Sequence, residues 1–505
     1  MAPIDRRTAL GALGAGAALV TAGCAATPKD AKARPEPTTY VGHTGANPVS
    51  RENARTGSAA WKIKSPLRSS RDEGGQIQGY ASATSVAPGD PISFHLSVRP
   101  GGPFRIEIYR RGWYGGTGGR LLATSPQLRG SPQPIPQPAA GTREIDCTWP
   151  ASWTLDIPRH WISGHYLAVF TSAAGYRAYT QFVVREETRR SDFLVVVPFT
   201  TYQAYNAWPL DGHTGRNLYT GYDAHGKLAG LPQRSYKVSF NRPYCHNGLA
   251  EHADIDLNFT TWAEQNGYDL TYASSLDLHQ GRIRPDRYRA LVFPGHDEYW
   301  TLPMRQVLEQ ALDRDVHVAF LSSNPVYWRA RFEAAQGTPD RVMACYKYIP
   351  DPAARTEGPT NMWRSQGKDH ALAEQGLIGV QYNGVVKGEV PLVVRQSDHW
   401  LWRGTGVRDG DSIPGLVGVE GDGFDPRMPR PKAAVHAFLS HSPYTDRMNG
   451  SHQIQQTSCY ETGSGTVVFA AGTFNWTRAL ADPAHTDPRV QTVTRNLFTR
   501  LLHTT

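Results

Sequence analysis

The sequence is poor in cysteine and methionine, which number 5 and 6 among its 505 residues. No CxxC pair occurs, so a zinc site built from thiolates is disfavoured. A GxSxG nucleophile elbow, a Walker loop, a GxGxxG motif after a strand and an HExxH zinc motif are also missing. The sequence therefore lacks the usual signatures of serine hydrolases, nucleotide-binding proteins and zinc proteases.

Blocks of like charge are missing as well. The chain has 53 basic and 45 acidic residues, which give a net charge of +8 scattered along the sequence. Proteins that bind nucleic acids usually gather their basic residues in an arm or a stripe. We therefore expect no nucleic-acid partner, although a mildly basic exported protein could adhere to acidic cell-wall polymers.

Residues 1–24 predict an export signal. Arg6 and Arg7 precede an apolar segment that is too short for a membrane span, as in twin-arginine signals. The segment TAGC resembles a bacterial lipobox, with Cys24 as the lipidated new N-terminus. Residues 25–58 contain few large apolar side chains and predict a disordered tether. The expected protein is exported by the twin-arginine route and is either held at the cell surface by the lipid on Cys24 or secreted.

Four more cysteines follow the predicted signal. An exported protein meets an oxidising compartment in which disulfides persist. Four cysteines can pair in three ways, and the sequence does not choose among them. They are Cys147, Cys245, Cys345 and Cys459.

Residues 59–187 predict an all-β domain. Short apolar or alternating runs, such as PISFHLSV and YLAVFTS, are separated by Gly and Pro, and no amphipathic helix intervenes. This pattern favours an immunoglobulin-like β-sandwich. Within it, a glycine-rich loop carries Trp113 and Tyr114. We expect this loop to pack on the neighbouring domain, and the alternative is a ligand-binding aromatic loop.

Residues 190–505 change to strands that alternate with helices. Apolar runs such as FLVVVP and VHVAFLSS read as buried strands, and helical stripes lie between them. This alternation predicts an α/β doubly wound, mostly parallel sheet that is covered on both faces. A segment at about residues 331–465, rich in Gly and Pro, predicts a long irregular insert. Loops of that length are usually functional.

The most informative segment is ALVFPGHDEYW, at residues 290–300. An apolar run predicted as a buried strand ends at a Pro-Gly pair and is followed by His296, Asp297 and Glu298. Open α/β sheets place their sites at this carboxyl edge. In extended backbone, His296 and Glu298 point the same way. The alternative is that His296 and Asp297 only satisfy backbone groups of a turn.

Tyrosine and asparagine follow other predicted strands. Tyr205 and Asn206 come after the first strand of this region, Asn324 after the fourth, and Tyr244 lies in a loop. The phenol of tyrosine must lose its proton to bind a metal, which suits a hard cation such as ferric iron. The alternatives are an ordinary aromatic contact for Tyr205 and a turn role for Asn324.

Several segments of this region resemble one known family. From Phe193 to the C-terminus the chain resembles the catalytic region of the large subunit of N,N-dimethylformamidase. The preceding β domain, with FRIEIYRRGWYGGTGGR, looks like the domain that accompanies this region in exported bacterial relatives. The matching segments are TYQAYNAWPLDG, SFNRPY, FPGHDEYW, FLSSNPVYWRARFE, DHWLWRGTGVRDGD, LVGVEGDG and GTFNWTRAL.

The resemblance implies a mononuclear iron held by two tyrosines and one glutamate. Carried onto this sequence, these ligands are Tyr205, Tyr244 and Glu298. The structural alternative for Glu298 is a contact with a helix dipole.

The resemblance also implies the other site residues, and it gives catalytic roles to His296 and Glu420. Asn324 and Asn206 would bind substrate. The structural alternative for Glu420 is a solvated loop carboxylate.

Three interpretations of function remain open. The first is an exported iron-dependent hydrolase of a non-peptide C–N bond in a small-molecule amide. Dimethylformamide is a poor candidate substrate, because the characterised amidase is intracellular and works with a small second subunit. The second is a non-catalytic surface protein that binds a glycan or wall polymer. The third is a hydrolase or transferase of other chemistry on a glutamine-amidotransferase-like sheet, with a different metal or none. A homo-oligomer is compatible with all three.

Overall fold

The computed structural model describes residues 47–63 and 68–503. The predicted export signal and Cys24 lie outside these ranges, so export and lipidation stay predictions. No helix in the described ranges is long and apolar enough to cross a membrane. The described cysteines, Cys147, Cys245, Cys345 and Cys459, are all free thiols.

The described residues contain nine α-helices, most of them short. In chain order they are α1 (Pro48–Asn53), α2 (Phe199–Tyr205), α3 (Ala253–Gln265), α4 (Ser275–His279), α5 (Leu302–Asp313), α6 (Ala354–Glu357), α7 (Gln375–Ile378), α8 (Asn475–Ala481) and α9 (Pro488–His503).

Nine strands form the first part of the chain. They are β1 (Ile77–Ala81), β2 (Ser85–Val86), β3 (Pro91–Val98), β4 (Gly102–Arg111), β5 (Gly119–Thr124), β6 (Leu128–Gly130), β7 (Trp153–Asp156), β8 (Gly164–Ser172) and β9 (Arg177–Val184). One sheet has the order β1-β3-β7, and the other has the order β2-β9-β8-β4-β5, with β6 beside β4. Phe94 from the first sheet and Ile106, Phe170 and Phe182 from the second share one apolar core.

Eleven strands form the middle of the chain. They are β10 (Phe193–Val197), β11 (Gly221–Tyr222), β12 (Leu228–Ala229), β13 (Lys237–Ser239), β14 (Leu270–Ser274), β15 (Ala290–Phe293), β16 (Tyr299–Trp300), β17 (His317–Phe320), β18 (Trp328–Arg329), β19 (Arg331–Ala335) and β20 (Thr338–Ala344).

Seven more strands complete the chain. They are β21 (Gln381–Val393), β22 (Ser412–Gly423), β23 (Val435–Phe438), β24 (Ser442–Thr445), β25 (His452–Gln455), β26 (Ser458–Glu461) and β27 (Val467–Ala470).

A seven-stranded mixed sheet lies at the centre of this second part. Its order is β14-β10-β15-β17-β27-β26-β23. The first five strands are mutually parallel, whereas β26 and β23 are antiparallel to their neighbours. Successive residues of β10 face opposite sides, as a strand requires. Val195 packs in the core that includes α3 and α9, and Val196 packs in the core that includes α5.

The prediction of a doubly wound, mostly parallel α/β fold is wrong. In the part of the chain that the structure describes, strands make up 33% and helices 20%, and the strands are distributed over many small mixed and antiparallel sheets. Much of the difference lies in residues 331–465, where Gly and Pro favoured an irregular insert. Instead, β21 and β22 form a long antiparallel pair with several register shifts. Gly and Pro are tolerated in strands at such irregularities, so they do not exclude pairing.

Helix α1 lies within residues 25–58, for which the sequence predicts a disordered tether. Val49, Glu52 and Asn53 of this helix are buried. The Oδ1 atom of Asn53 accepts the backbone N–H groups of Trp113 and Tyr114, at 2.8 and 3.0 Å. The glycine-rich loop after β4 is therefore held against α1.

Arg110 and Glu264 connect the two parts of the chain. Arg110 on β4 donates two hydrogen bonds to Glu264 on α3, at 2.9 and 2.7 Å. Both side chains are completely buried. Asn53 Nδ2 donates to the same carboxylate at 2.7 Å. Helix α1, strand β4 and helix α3 thus meet at one buried ion pair.

Candidate functional site

The site lies where β10, β15 and β17 end. Pro294 and Gly295 follow the end of β15, and His296 and Glu298 come soon after them. A Cβ atom at position 295 would lie 2.4 Å from Oδ1 of Asp256, which is closer than any side chain allows. Glycine is therefore required at this corner because a buried carboxyl group occupies the space that a side chain would need.

Glu298 is the centre of the site. It is fully buried, and both of its carboxylate oxygens accept phenol hydroxyls. Tyr205 at the end of α2 donates to Oε2 at 2.8 Å, and Tyr219 donates to Oε1 at 2.7 Å. Trp328 Nε1 and Asn324 Nδ2 also donate to Oε1, at 3.0 and 3.2 Å. These four donors fix the carboxylate in one orientation.

His296 lies beside this carboxylate. Its Nδ1 is 3.2 Å from the carbonyl oxygen of Ser323, which favours a proton on Nδ1. Its Nε2 then faces Tyr205 Oη at 3.4 Å, Glu298 Oε2 at 3.4 Å and Glu420 Oε2 at 3.9 Å. Burial alone would lower the pKa of His296, but the hydrogen bond to Glu298 and the charges of Glu420 and Glu298 outweigh it and raise the pKa.

Asn324 joins the two acidic groups of the site. Its Nδ2 donates to Glu420 Oε2 at 2.8 Å as well as to Glu298, so both amide protons are used. Its backbone N–H donates to Oδ1 of Asp422 at 2.8 Å. Asn324 has a φ of 57°, a left-handed conformation that asparagine tolerates better than most residues.

Glu420 lies at a strained position of β22. The residue before it, Val419, has a φ of 66°, which is a true outlier for a β-branched side chain. Such strain persists only where the surrounding structure imposes it, and it clusters at functional sites. The neighbouring Asp422 is fully buried, and burial raises its pKa to about 8.

Aromatic and basic side chains complete the walls. The ring of Phe474 lies 4.5 Å from that of His296, and the ring of His252 lies 6.3 Å from it. On the other side, the ammonium group of Lys347 lies 3.1 Å from the centroid of the Tyr219 ring. Lys347 itself is buried.

Five of the residues predicted for the site come together. They are Tyr205, His296, Glu298, Asn324 and Glu420.

Tyr244 and Asn206 have other contacts. Tyr244 packs edge-on against Tyr202, with ring centroids 6.5 Å apart, and burial raises the pKa of its phenol. Asn206 holds a loop, because its Nδ2 donates to the carbonyl of Pro243 at 2.8 Å and its Oδ1 accepts from the N–H of Cys245 at 3.1 Å.

Tyr219 is the functional candidate that the sequence did not reveal. It follows no predicted strand and stands in a turn whose N–H groups are held by Oδ1 of Asn217, at 2.8 and 2.7 Å. Asn217 also donates from Nδ2 to the carbonyl of Tyr205 at 2.6 Å. The turn therefore fixes Tyr219 beside Tyr205. Asn217 is the one local residue that predicts this turn, and it does not indicate that Tyr219 takes part in a site.

The oxygen atoms around Glu298 suit a hard metal ion. The hydroxyl oxygens of Tyr205 and Tyr219 lie 3.4 Å apart, and each contacts one carboxylate oxygen of Glu298. Within the described ranges, no group of three or more His, Cys, Asp or Glu side chains is placed to bind a metal. Phenol oxygens would have to supply part of any ligand set, and oxygen-only sets favour hard cations such as ferric iron.

A carboxylate held by two phenols beside a histidine and a second carboxylate offers groups that can act in acid–base catalysis. The chain belongs to the N,N-dimethylformamidase beta subunit-like family, whose C-terminal model matches residues 105–489. Membership of this family suggests an amide hydrolase. Among curated proteins, no relative was found.

Comparison with solved structures includes the following matches, all with low TM-scores. A superoxide reductase (neelaredoxin) from Ignicoccus hospitalis is 13% identical and covers 25% of this chain and 88% of its own, with a TM-score of 0.14. A cellulose-active LPMO in complex with copper is 20% identical over 20% of this chain and 51% of its own, with a TM-score of 0.13. A Paenibacillus sp. cycloisomaltooligosaccharide glucanotransferase is 9% identical over 78% and 68%, with a TM-score of 0.18. Similarities this slight carry no argument about function.

Proposed function

We propose that this protein hydrolyses the C–N bond of a small, non-peptide amide and that Tyr205, Tyr219 and Glu298 hold a mononuclear iron. The observation that carries the proposal is the pair of phenol hydroxyls on the two oxygens of Glu298, at 2.8 and 2.7 Å. A phenol–carboxylate contact of this kind is a place where a metal ion can replace the shared protons. Family membership supports the same reaction class.

Tyr219 replaces Tyr244 in this ligand set. The sequence-based choice of Tyr244 rested on the resemblance alone, whereas Tyr219 contacts Glu298 directly. Trp328 Nε1 donates to both the Tyr219 hydroxyl and Glu298 Oε1, at 3.1 and 3.0 Å. The phenol oxygen and the carboxylate are thus held by one indole. When bound, the iron would act as a Lewis acid toward the amide carbonyl and lower the pKa of an attacking water.

His296 and Glu420 would move protons in this reaction. With its proton on Nδ1, the imidazole leaves Nε2 to accept one from the attacking water and to donate it to the departing amine nitrogen. Glu420 Oε2 lies 3.9 Å from this nitrogen and accepts from Asn324. Glu420 would stabilise the imidazolium that forms, since opposite charges in a buried site attract strongly.

The walls favour a small substrate. Glu298, His296 and Asn324 are all buried, and Phe474 covers one face of His296. Tyr205 is only partly buried, so the more open side lies at this residue. A compact amide that enters there would displace most water from the site, which strengthens the electrostatic contacts.

Visible spectroscopy with elemental analysis tests the ligand set. The chain without the predicted signal, residues 25–505, is purified without added metal or chelator and then reconstituted with iron. Tyrosinate bound to ferric iron should give a broad visible charge-transfer band and near-stoichiometric iron. Tyr205→Phe, Tyr219→Phe and Glu298→Ala should weaken or remove the band. Tyr244→Phe is the matched control and should leave it unchanged.

Amide hydrolysis is then measured on the iron-loaded protein. A panel of small formamides and acetamides, followed by release of amine, should give activity that Glu420→Gln and His296→Ala remove. A colourless chain that stays metal-free after reconstitution would overturn the ligand assignment. That result would favour the non-catalytic surface protein instead.

A further inference from the structure

A cavity lies between α1 and the sheet that contains β4, β5 and β8. Its volume is about 110 Å³, and it is lined by four arginines together with Trp161 and Tyr166. The arginines are Arg51, Arg55, Arg110 and Arg120. None of these residues belongs to the candidate site around Glu298.

Positive charge dominates this cavity. Two carboxylates oppose the four guanidinium groups, which leaves an excess of two positive charges. Glu52 accepts from Arg120 Nε at 2.8 Å and lies 3.4 Å from Arg55 Nε, while Glu264 neutralises Arg110. Within the part of the chain that the structure describes, Arg51 pairs with no acidic side chain.

The floor of the cavity is aromatic and rigid. Trp161 stacks on Tyr166, with ring centroids 5.3 Å apart and planes at 15°. The Tyr166 hydroxyl donates to the carbonyl of Ile162 at 2.7 Å, which fixes that ring. Guanidinium groups that line the same cavity as an indole can bind an oxyanion while the indole packs against the group that carries it.

We propose that this cavity binds a compact oxyanion, a phosphate or a carboxylate, at the end of a larger ligand. The volume admits the anionic group, and the rest of the ligand would extend past Arg51 and Arg55 into solvent. Both arginines are exposed, so they can reach such a ligand without breaking the core.

The cavity is separate from the proposed catalytic centre. His252 stands at the start of α3 beside His296, and Glu264 stands near the end of that helix beside Arg110. Twelve residues of α-helix span about 18 Å. The inference therefore does not depend on the amide hydrolase proposal, and either can fail alone.

Titration calorimetry on the chain without the predicted signal, residues 25–505, tests the inference. The probes are inorganic phosphate and glucuronate, with glucose as the uncharged control. At least one anion should bind with one-to-one stoichiometry, more weakly as salt is raised, and glucose should not bind. The anion that binds indicates whether the natural group is phosphorylated or carboxylated.

Exposed arginines supply the matched variants. Arg51→Ala combined with Arg55→Ala should weaken anion binding by about tenfold or more, because charge-assisted bonds are lost. Arg129→Ala, an exposed arginine on β6, is the control and should bind like the unmodified chain. Thermal unfolding of each variant checks that the fold is intact. No binding of either anion, or equal binding by the paired variant, would overturn the inference.

Discussion

The Asn324→Asp substitution gives the sharpest test of the site geometry. It keeps the shape of the side chain but replaces the amide Nδ2, which donates to both Glu298 and Glu420, with an oxygen atom of a third carboxyl group. Three carboxyl groups then lie within hydrogen-bond distance in a buried site. Such a cluster must hold a proton at neutral pH, because like charges at this distance cannot all remain ionised.

The loss of folding stability expected for Asn324→Asp follows from its pH dependence. The introduced carboxyl group has an unfolded pKa of about 4, and burial beside two carboxylates raises its folded pKa. A carboxyl group with a raised folded pKa costs nothing below its unfolded pKa, and the cost then grows by about 1.4 kcal/mol per pH unit until the folded pKa is reached. If that folded pKa is about 7 or higher, the variant should lose about 2.7 kcal/mol relative to the unmodified protein between pH 5 and pH 7.

Denaturant unfolding of the metal-free protein at pH 5, 6 and 7 measures how the stability loss of the variant changes with pH. Asn449→Asp is the control, because Asn449 is exposed and the same chemical change there should give no such slope. A stability difference for Asn324→Asp that does not change with pH would refute the assignment of Nδ2 as a donor to both carboxylates. Equal stability of the variant and the unmodified protein at pH 7 would refute it as well.

Two further substitutions test buried contacts, one at the corner before His296 and one at the ion pair between β4 and α3. Gly295→Ala should destabilise the protein by about 1–3 kcal/mol, because the new Cβ would overlap Oδ1 of Asp256. Gly102→Ala, where a Cβ would meet nothing within 4 Å, should be nearly neutral in the same unfolding assay. Glu264→Gln should cost about 3–5 kcal/mol by denaturant unfolding, since it leaves Arg110 charged and buried without its partner. Replacing both Glu264 and Arg110 with methionine should cost less than Glu264→Gln alone, and an equal or larger cost would contradict this view of the pair.

The central segment of the site could be predicted from local physics. An apolar run that ends at Pro294 and Gly295 predicts a buried strand and an abrupt turn, and the structure ends β15 at Phe293. Period-two geometry places His296 and Glu298 on one side, and their side chains lie 3.4 Å apart. Short-range rules suffice here because the strand and the corner are encoded within a few residues.

The second tyrosine could not be predicted in that way. Tyr219 reaches Glu298 through a turn held by Asn217, and nothing in its sequence neighbourhood distinguishes it from Tyr244. The choice depends on how a loop folds back on α2, which is a tertiary property. The long β21–β22 pair was missed for a related reason, because its glycines resemble loop residues unless the partner strand is known.

The buried contact of Arg110 with Glu264 bears on how this protein can be divided. The matched family region begins at residue 105, inside β4, rather than at a boundary between the two parts of the chain. A gene fragment that encodes only the chain from residue 190 onward would leave Glu264 on α3 without its cation. It would also expose the face of α3 that packs on β4. The first sheets and the second part of the chain thus share a buried ion pair, and a fragment without the first sheets would need this contact redesigned.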